Sequence, residues 1–347
     1  MADRNTYATP AHPSRRDALL QLGALAGAGL AASSWPHQAH AAPVQLKIAG
    51  AYTDALFHTQ NLQQFAREAN QSSQGALQLE VVSNSKLMPM NEVLPALSKG
   101  ELAIGEIFMS NFSKQYPLFA IDSLPFIVHS FDDARRLWEH TRAPTEALLK
   151  KQGIRVLYAA PWPGQGLFAR NAIGKLDDVK GQKFRVNNDA TKYIAEVAGA
   201  TPVDIPANNL AKAIQAGQID VMVTSSTTGV DSQSWNAMGV FIDMRAWIPK
   251  NIICMSEQVF GKLPEAARTA LDNAARQAEV RGWQLAKDAD NAAQKVLAER
   301  GTKISGPTYE LRHKLDQLGE RFARDWSGKA GVESANALLS YYFAKKP

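Results

Sequence analysis

Hydrophobic positions along this chain change period repeatedly. They alternate over Gln45–Gly50 as on a strand, then recur at helical spacing from Leu56 to Ala69 through Leu62, Phe65 and Ala69. Gly75 closes that element, and Leu77, Leu79 and Val81 alternate again. The pattern predicts a helix over 91–99 closed by Gly100, a strand over 102–109, a helix over 134–150 that Pro144 should kink or split, and a strand over 154–160. The rhythm continues with strands near 184–186, 203–205 and 219–224 and helices over 190–197 and 208–216. Such alternation predicts an α/β architecture with largely parallel sheets. Pro161-Trp162-Pro163-Gly164 interrupts the chain just after an apolar strand, a suitable place to cross between two lobes.

From Leu263 onward the pattern is helical. An Ala-rich stretch runs from Pro264 to Arg300 and contains Gly282, which costs about 1 kcal/mol relative to Ala. A helix of that length, about 55 Å, would exceed either lobe and is expected to brace both. Two further helices are predicted near 309–327 and 332–343.

The start of the chain reads differently. Ser14-Arg15-Arg16-Asp17 precedes an uncharged run from Ala18 to Ser34, and Ala39-His40-Ala41 is a small-x-small cleavage site. Residues 1–41 are therefore expected to be an export signal peptide and Ala42 the mature start. The run is short and weakly apolar for a membrane span. The arginine pair resembles a twin-arginine signal, with Ala18 where that pattern prefers Leu or an aromatic residue; the twin-arginine and ordinary secretory routes both stay open.

Of the 347 residues, 45% are hydrophobic and 20% charged, which argues against a disordered chain and gives room for two lobes. The formal charge of +5 is spread along the chain without the stripe or tail of a nucleic-acid binder. Without residues 1–41 it becomes +4. A single cysteine, Cys254, precludes an intramolecular disulfide and a multi-thiolate metal site, and its apolar run makes it inert core. After residue 41 the histidines are His58, His129, His140 and His313, none paired at metal-ligand spacing. HExxH, GxSxG and P-loop patterns are missing. Gly164-Gln165-Gly166 with Ala169 fits GxGxxA formally, but Arg170-Asn171-Ala172-Ile173-Gly174 is not a helix start and Arg185 stands where an acidic residue is needed. No catalytic set, metal or cofactor is expected.

One stretch carries a resemblance. Leu176-Asp177-Asp178-Val179-Lys180-Gly181-Gln182-Lys183-Phe184-Arg185-Val186 resembles a segment of the solute-binding proteins of TRAP transporters, the DctP family. Gly199-Ala200-Thr201-Pro202-Val203, the unit from Asn209 to Asp220, Ser83-Asn84-Ser85-Lys86-Leu87, Leu97 to Ile104, and Leu124-Pro125-Phe126 agree in order with that family. The resemblance implies a two-lobed, periplasmic-binding-protein-like α/β fold with hinge strands and a long bracing C-terminal helix. It divides the chain into an export signal (1–41), lobe I (42–162 plus about 252–290) and lobe II (163–251 plus about 291–347). It also implies a periplasmic receptor that closes on an organic acid and delivers it to the small and large membrane subunits of a sodium-driven permease.

Arg185 matches the arginine that the family uses to clamp the ligand carboxylate. A guanidinium fork fits a carboxylate in plane and keeps its proton, and between Phe184 and Val186 an unpaired arginine would be costly. Pairing with an internal acid is the alternative. Many members carry a second arginine where this chain has Gln165; Arg170, nearby, is either a ligand group or a surface residue. Phe108 and Asn111 stand where sugar-acid binders place an acidic and a basic residue, with Ser110 between them. Tyr52, Asn187, Thr224, Ser225, Trp162 and Trp247 complete the expected ligand-binding set. Charge is lost and rings and hydroxyls are gained, which suits a small monocarboxylate: an aromatic, 2-hydroxy or 2-keto acid. A C4 dicarboxylate or sugar acid, and an exported enzyme on a binding-protein fold, are the alternatives.

Overall fold

The computed structural model describes residues 42–205 and 209–344, so the expected export segment and its cleavage site lie outside the described residues. Two mixed sheets carry the fold. The first orders β2 (Leu77–Val82), β1 (Val44–Ala49), β3 (Ile104–Phe108), β10 (Lys250–Ser256) and β4 (Ile154–Pro161). The second orders β11 (Lys303–Ser305), β9 (Val240–Ile242), β5 (Gln165–Ala169), β8 (Val221–Ser225), β6 (Lys183–Val186) and β7 (Thr201–Asp204).

The expectation of largely parallel sheets is corrected at two strands. β10 runs antiparallel to β3 and β4, and β5 antiparallel to β8 and β9. Both are first strands after a crossing between sheets. The path from Pro161 to Gln165 is too short for the helical crossover a parallel return needs, so the chain enters the second sheet at the edge it faces and runs back. β5 also disposes of the GxGxxA reading. Gly166 lies within the strand, where a Cβ would collide with the Phe241 ring.

Helices α1 (Phe57–Ser72), α2 (Met90–Lys99) and α3 (Phe131–Lys150) flank the first sheet. α3 runs unbroken through Pro144, because Leu137, Trp138, Thr141, Thr145 and Leu149 keep one face buried and that packing outweighs one missing hydrogen bond. The second sheet carries α4 (Asp189–Val197), α5 (Leu210–Gln215) and α6 (Ser226–Asp231). After the short α7 (Glu257–Gly261), α8 (Glu265–Glu299) forms a single helix of 35 residues, about 52 Å long. Its first half packs Ala267, Leu271, Ala274 and Ala278 into the core of lobe I, whereas Leu297 belongs to a core of lobe II. At Gly282 a Cβ would lie 2.8 Å from that of Ala160, so this glycine sets how closely the brace approaches β4. α9 (Tyr309–Ser327) buries Leu311, Leu315 and Leu318 in lobe II. α10 (Val332–Ala344) differs from the expected division: Ala337, Leu338 and Tyr341 pack in the lobe I core, against α3.

Candidate functional site

The parallel strands of both sheets end toward the crossing, and the antiparallel β5 and β10 begin there. Two crossing segments are laced together: the Trp162 N–H donates to Pro249 O (2.8 Å), Gln165 N–H to Trp247 O (2.9 Å) and Ala246 N–H to Gln165 O (2.8 Å). Beside them lies a cavity of about 430 Å³ lined by Ala51, Tyr52, Thr53, Leu56, Asn84 and Trp162 from lobe I and by Leu210, Ala211, Thr228, Asp231 and Ser232 from lobe II.

Arg185 is the third residue of β6, in register with Met222 of β8 and Val203 of β7. Phe184 faces the core beneath α4, so Arg185 takes the opposite face, the one where Met222, Leu210 and Ile205 pack. Leu210 continues from that face to the cavity wall. Arg185 is only 3% exposed. Its Nε donates to Ile205 O at 2.9 Å, and its terminal nitrogens have no ion pair or hydrogen bond among the described residues. Burial lowers this guanidinium to about 10, with Asp204 acting in the opposite sense, so it stays charged at neutral pH.

The lobe I side of the cavity is built around a residue the sequence pattern does not single out. Glu106, on β3, is 1% exposed. It accepts from Ala51 N–H (3.0 Å) and from Asn251 Nδ2 (2.8 Å). The Asn251 carbonyl oxygen in turn accepts from Trp162 Nε1 (2.9 Å) and Tyr52 OH (3.4 Å). Burial raises the Glu106 carboxyl to about 7, opposed by its two donors. Tyr52 packs edge-on to Trp162 with centroids 5.2 Å apart. His58 lies 4.5 Å from the same indole, and burial lowers its imidazole to about 3; its Nε2 is sealed without a hydrogen-bond partner. Behind this wall Lys250 and Asp122 form a buried pair, Nζ to Oδ2 3.5 Å. A lone charge in an apolar strand is the mark that selects Arg185, and Glu106 carries it too; Asn251 and His58 have no such mark.

Of the expected residues, Tyr52 and Trp162 line the cavity. Gln165 begins β5 and donates its side-chain amide to Pro163 O. Thr224 is buried, and its hydroxyl makes no hydrogen bond among the described residues. Ser225 caps α6, accepting from Thr228 N–H and sharing hydrogen bonds with the hydroxyls of Thr227 and Thr228. Asn187 is exposed and accepts from the Thr191 hydroxyl. Phe108 and Asn111 both reach the sulfur of Met90, through a backbone N–H and a side-chain amide. Ser110 pairs with Ser123 at a separate hollow between the lobes.

Two expectations are corrected. Arg170 sits just beyond the far end of β5, about 17 Å along the chain from Gln165, where it pairs with Asp220 (2.9 Å) and donates to Ile219 O. The Trp247 ring is 2% exposed in the core of lobe II; only its carbonyl reaches the crossing. Cys254 is buried, and burial pushes its thiol far up, as expected of inert core.

Two α/β lobes that meet at a double crossing, with a desolvated fork cation in one and an aromatic cavity wall in the other, are the architecture of a solute-binding receptor. Residues 51–327 match the family model of bacterial extracellular solute-binding proteins, family 7 (DctP), and the chain belongs to that family. Among solved structures it is similar to DctP7 of Bordetella pertussis, an extracytoplasmic solute receptor binding pyroglutamic acid (35% identity over 86% of this chain and 99% of that one, TM-score 0.80). It is also similar to DctP6 of the same organism, likewise binding pyroglutamic acid (33% identity, the same coverage, TM-score 0.81). A marine metagenome TRAP solute-binding protein specific for pyroglutamate is 26% identical over 87% of this chain and 99% of that one, with a TM-score of 0.79. No helix among the described residues is long and apolar enough to cross a membrane.

Proposed function

We propose that this chain is the periplasmic receptor of a TRAP-type transporter and captures pyroglutamate or a closely similar compact monocarboxylate for its membrane permease. Export through the segment 1–41 belongs to the same reading. The observation that carries it is the pairing state of the cations. Arg185 is buried with its terminal nitrogens uncommitted among the described residues, whereas Arg170 is held by Asp220 and Lys250 by Asp122. One free fork suits one carboxylate. Pyroglutamate has a single carboxylate and a neutral lactam ring, and the three similar receptors named above bind it. With Trp247 in the core, Tyr52 and Trp162 remain as the aromatic surface, enough for a five-membered ring. Thr224 offers a buried hydroxyl for a neutral polar group.

Calorimetry of the chain from Ala42 onward, with pyroglutamate, an aromatic 2-hydroxy acid, succinate and glucuronate, tests the proposal. Pyroglutamate should bind one to one and be recovered chemically unchanged, as a carrier requires. Binding of succinate or glucuronate with none of any monocarboxylate would overturn it, and turnover of a bound acid would favour the enzyme reading.

A further inference from the structure

We propose that Glu106 is a positioning residue that makes the Tyr52–Trp162 surface of the lobe I wall unsuited to a second ligand carboxylate, acting through Asn251 without touching the ligand. The inference rests on the monocarboxylate reading above. Of the lobe I residues that line the cavity, Thr53 and Asn84 carry side-chain donors away from Glu106, and three more donors lie beside it: Ala51 through its N–H, Tyr52 through its hydroxyl and Trp162 through its indole. Each of these three is turned inward. Ala51 N–H goes to Glu106, and Tyr52 and Trp162 go to the Asn251 carbonyl. Asn251 presents that carbonyl because its amide nitrogen is held by the other Glu106 oxygen. A single buried carboxylate thus fixes the direction of four hydrogen bonds and withdraws these donors from the cavity.

The charges point the same way. Among the described residues no lysine, arginine or histidine lines the cavity, Arg185 lying on the sheet face behind Leu210, and Asp231 adds a carboxyl on the lobe II side. A second ligand carboxylate placed here would lose its water, meet no donor from this network and face Glu106 behind the wall. A lactam carries no charge to desolvate. Arg185 attracts the first carboxylate, and Glu106 keeps the Tyr52–Trp162 surface from serving another. Selection by leaving the wrong ligand's polar group unpaired is an effective form of discrimination.

Substitution separates this role from simple packing. In Glu106→Gln the new side chain can still accept from Ala51, but its amide faces Asn251 as a donor. Asn251 then has to turn its carbonyl toward residue 106, which leaves the Trp162 N–H without its acceptor and free toward the cavity. Combining Glu106→Gln with Asn251→Asp restores the pattern: the glutamine amide donates to the aspartate, whose second oxygen accepts from Trp162 and Tyr52, and one buried carboxylate is kept.

The experiment is competition calorimetry of the chain from Ala42 onward with pyroglutamate and with glutarate, a dicarboxylate of the same carbon count. Glu106→Gln should narrow the Kd ratio of glutarate to pyroglutamate by at least about tenfold, the effect of one hydrogen bond to a charged group. The double variant should return the ratio to the wild-type value. A folded Glu106→Gln protein with an unchanged ratio would overturn the inference, as would a double variant that stays permissive. If Glu106→Gln does not fold, the double variant decides alone: wild-type selectivity supports the role and lost selectivity refutes it. A wild-type chain that binds glutarate and not pyroglutamate would instead refute the monocarboxylate reading, so the two failures are distinct.

Discussion

Replacing Glu106 by Gln should tilt the pH–stability profile upward with pH relative to wild type. Two buried groups beside the cavity titrate in overlapping windows with opposite effect. His58 is lowered from 6.5 to about 3, so the unfolded chain binds its proton first, and stability present above pH 6.5 is lost as pH falls toward 3. Over the whole window that amounts to about 5 kcal/mol, at about 1.4 kcal/mol per pH unit. Glu106 is raised from 4.5 to about 7, so the folded protein binds its proton first. Stability from this group is fully present below pH 4.5 and lost as pH rises toward 7, about 3 kcal/mol in all. Between pH 4.5 and 6.5 the two slopes offset each other. The Glu106→Gln variant keeps only the His58 slope, so its stability relative to wild type should rise by roughly 3 kcal/mol across that window. Urea unfolding followed by circular dichroism at pH 4.5, 5.5 and 6.5 measures it, and the variant-minus-wild-type difference cancels every other titrating group. Parallel profiles, differing by less than about 0.5 kcal/mol in slope across the window, would refute the reasoning.

Four more outcomes are expected. Arg185→Met should weaken pyroglutamate binding at least about a hundredfold in calorimetry, because breaking a desolvated ion pair costs about 3–5 kcal/mol; in a thermal melt without ligand the same variant should be the more stable protein. Gly282→Ala should lower stability in urea by about 1–3 kcal/mol despite the better helix propensity, since its Cβ would press on Ala160 and on Asn61 Nδ2 at 3.0 Å. Lys250→Met should cost about 3–5 kcal/mol by leaving the Asp122 carboxylate buried alone, and adding Asp122→Asn should recover most of it in the same assay. N-terminal sequencing of the exported protein should start at Ala42, and an intact chain starting at Met1 recovered outside the cytoplasm would contradict a cleaved signal.

Much of the fold is legible because each element carries its own signal. Gly100 adopts φ 72° just where the helical pattern stops, and Thr308 caps α9 immediately before its apolar spacing starts. Strand direction has no such local mark. β5 and β10 read as apolar runs like their neighbours, and only the short path across the crossing makes them antiparallel. The site divides along the same line. Arg185 stands out in the sequence as a charge inside an apolar strand, and the structure buries it with no ion pair among the described residues. Arg170 and Trp247 cannot be dismissed from sequence, since only the register of β5 sends one to the far end and only the second core encloses the other. Glu106 shares the signal of Arg185, but its hydrogen bonding depends on Asn251, 145 residues away, arriving beside it on β10, two residues from its register partner Ile253.

With Arg185 as the proposed carboxylate clamp and Glu106 as the proposed barrier to a second charge, the two buried charges also give a reason why such a receptor should gain stability with its cargo. Arg185 is desolvated before any ligand arrives, and its lowering from 12.5 to about 10 corresponds to a cost of roughly 3 kcal/mol in the empty folded state at neutral pH. The hydrogen bond from Nε to the Ile205 carbonyl recovers part of that, about 1 kcal/mol. The remainder is a standing destabilisation that only a counter-ion at the fork removes. A fork left in water would not carry this cost, but it would have to be stripped of water at each capture, and affinity would fall accordingly. Folding therefore holds the cation ready, and the carboxylate that fits it offsets a penalty already present in the fold. An acid that leaves a second charge stranded against the Glu106 wall would replace one penalty with another, so the arrangement that makes the empty site costly is the one that makes it selective.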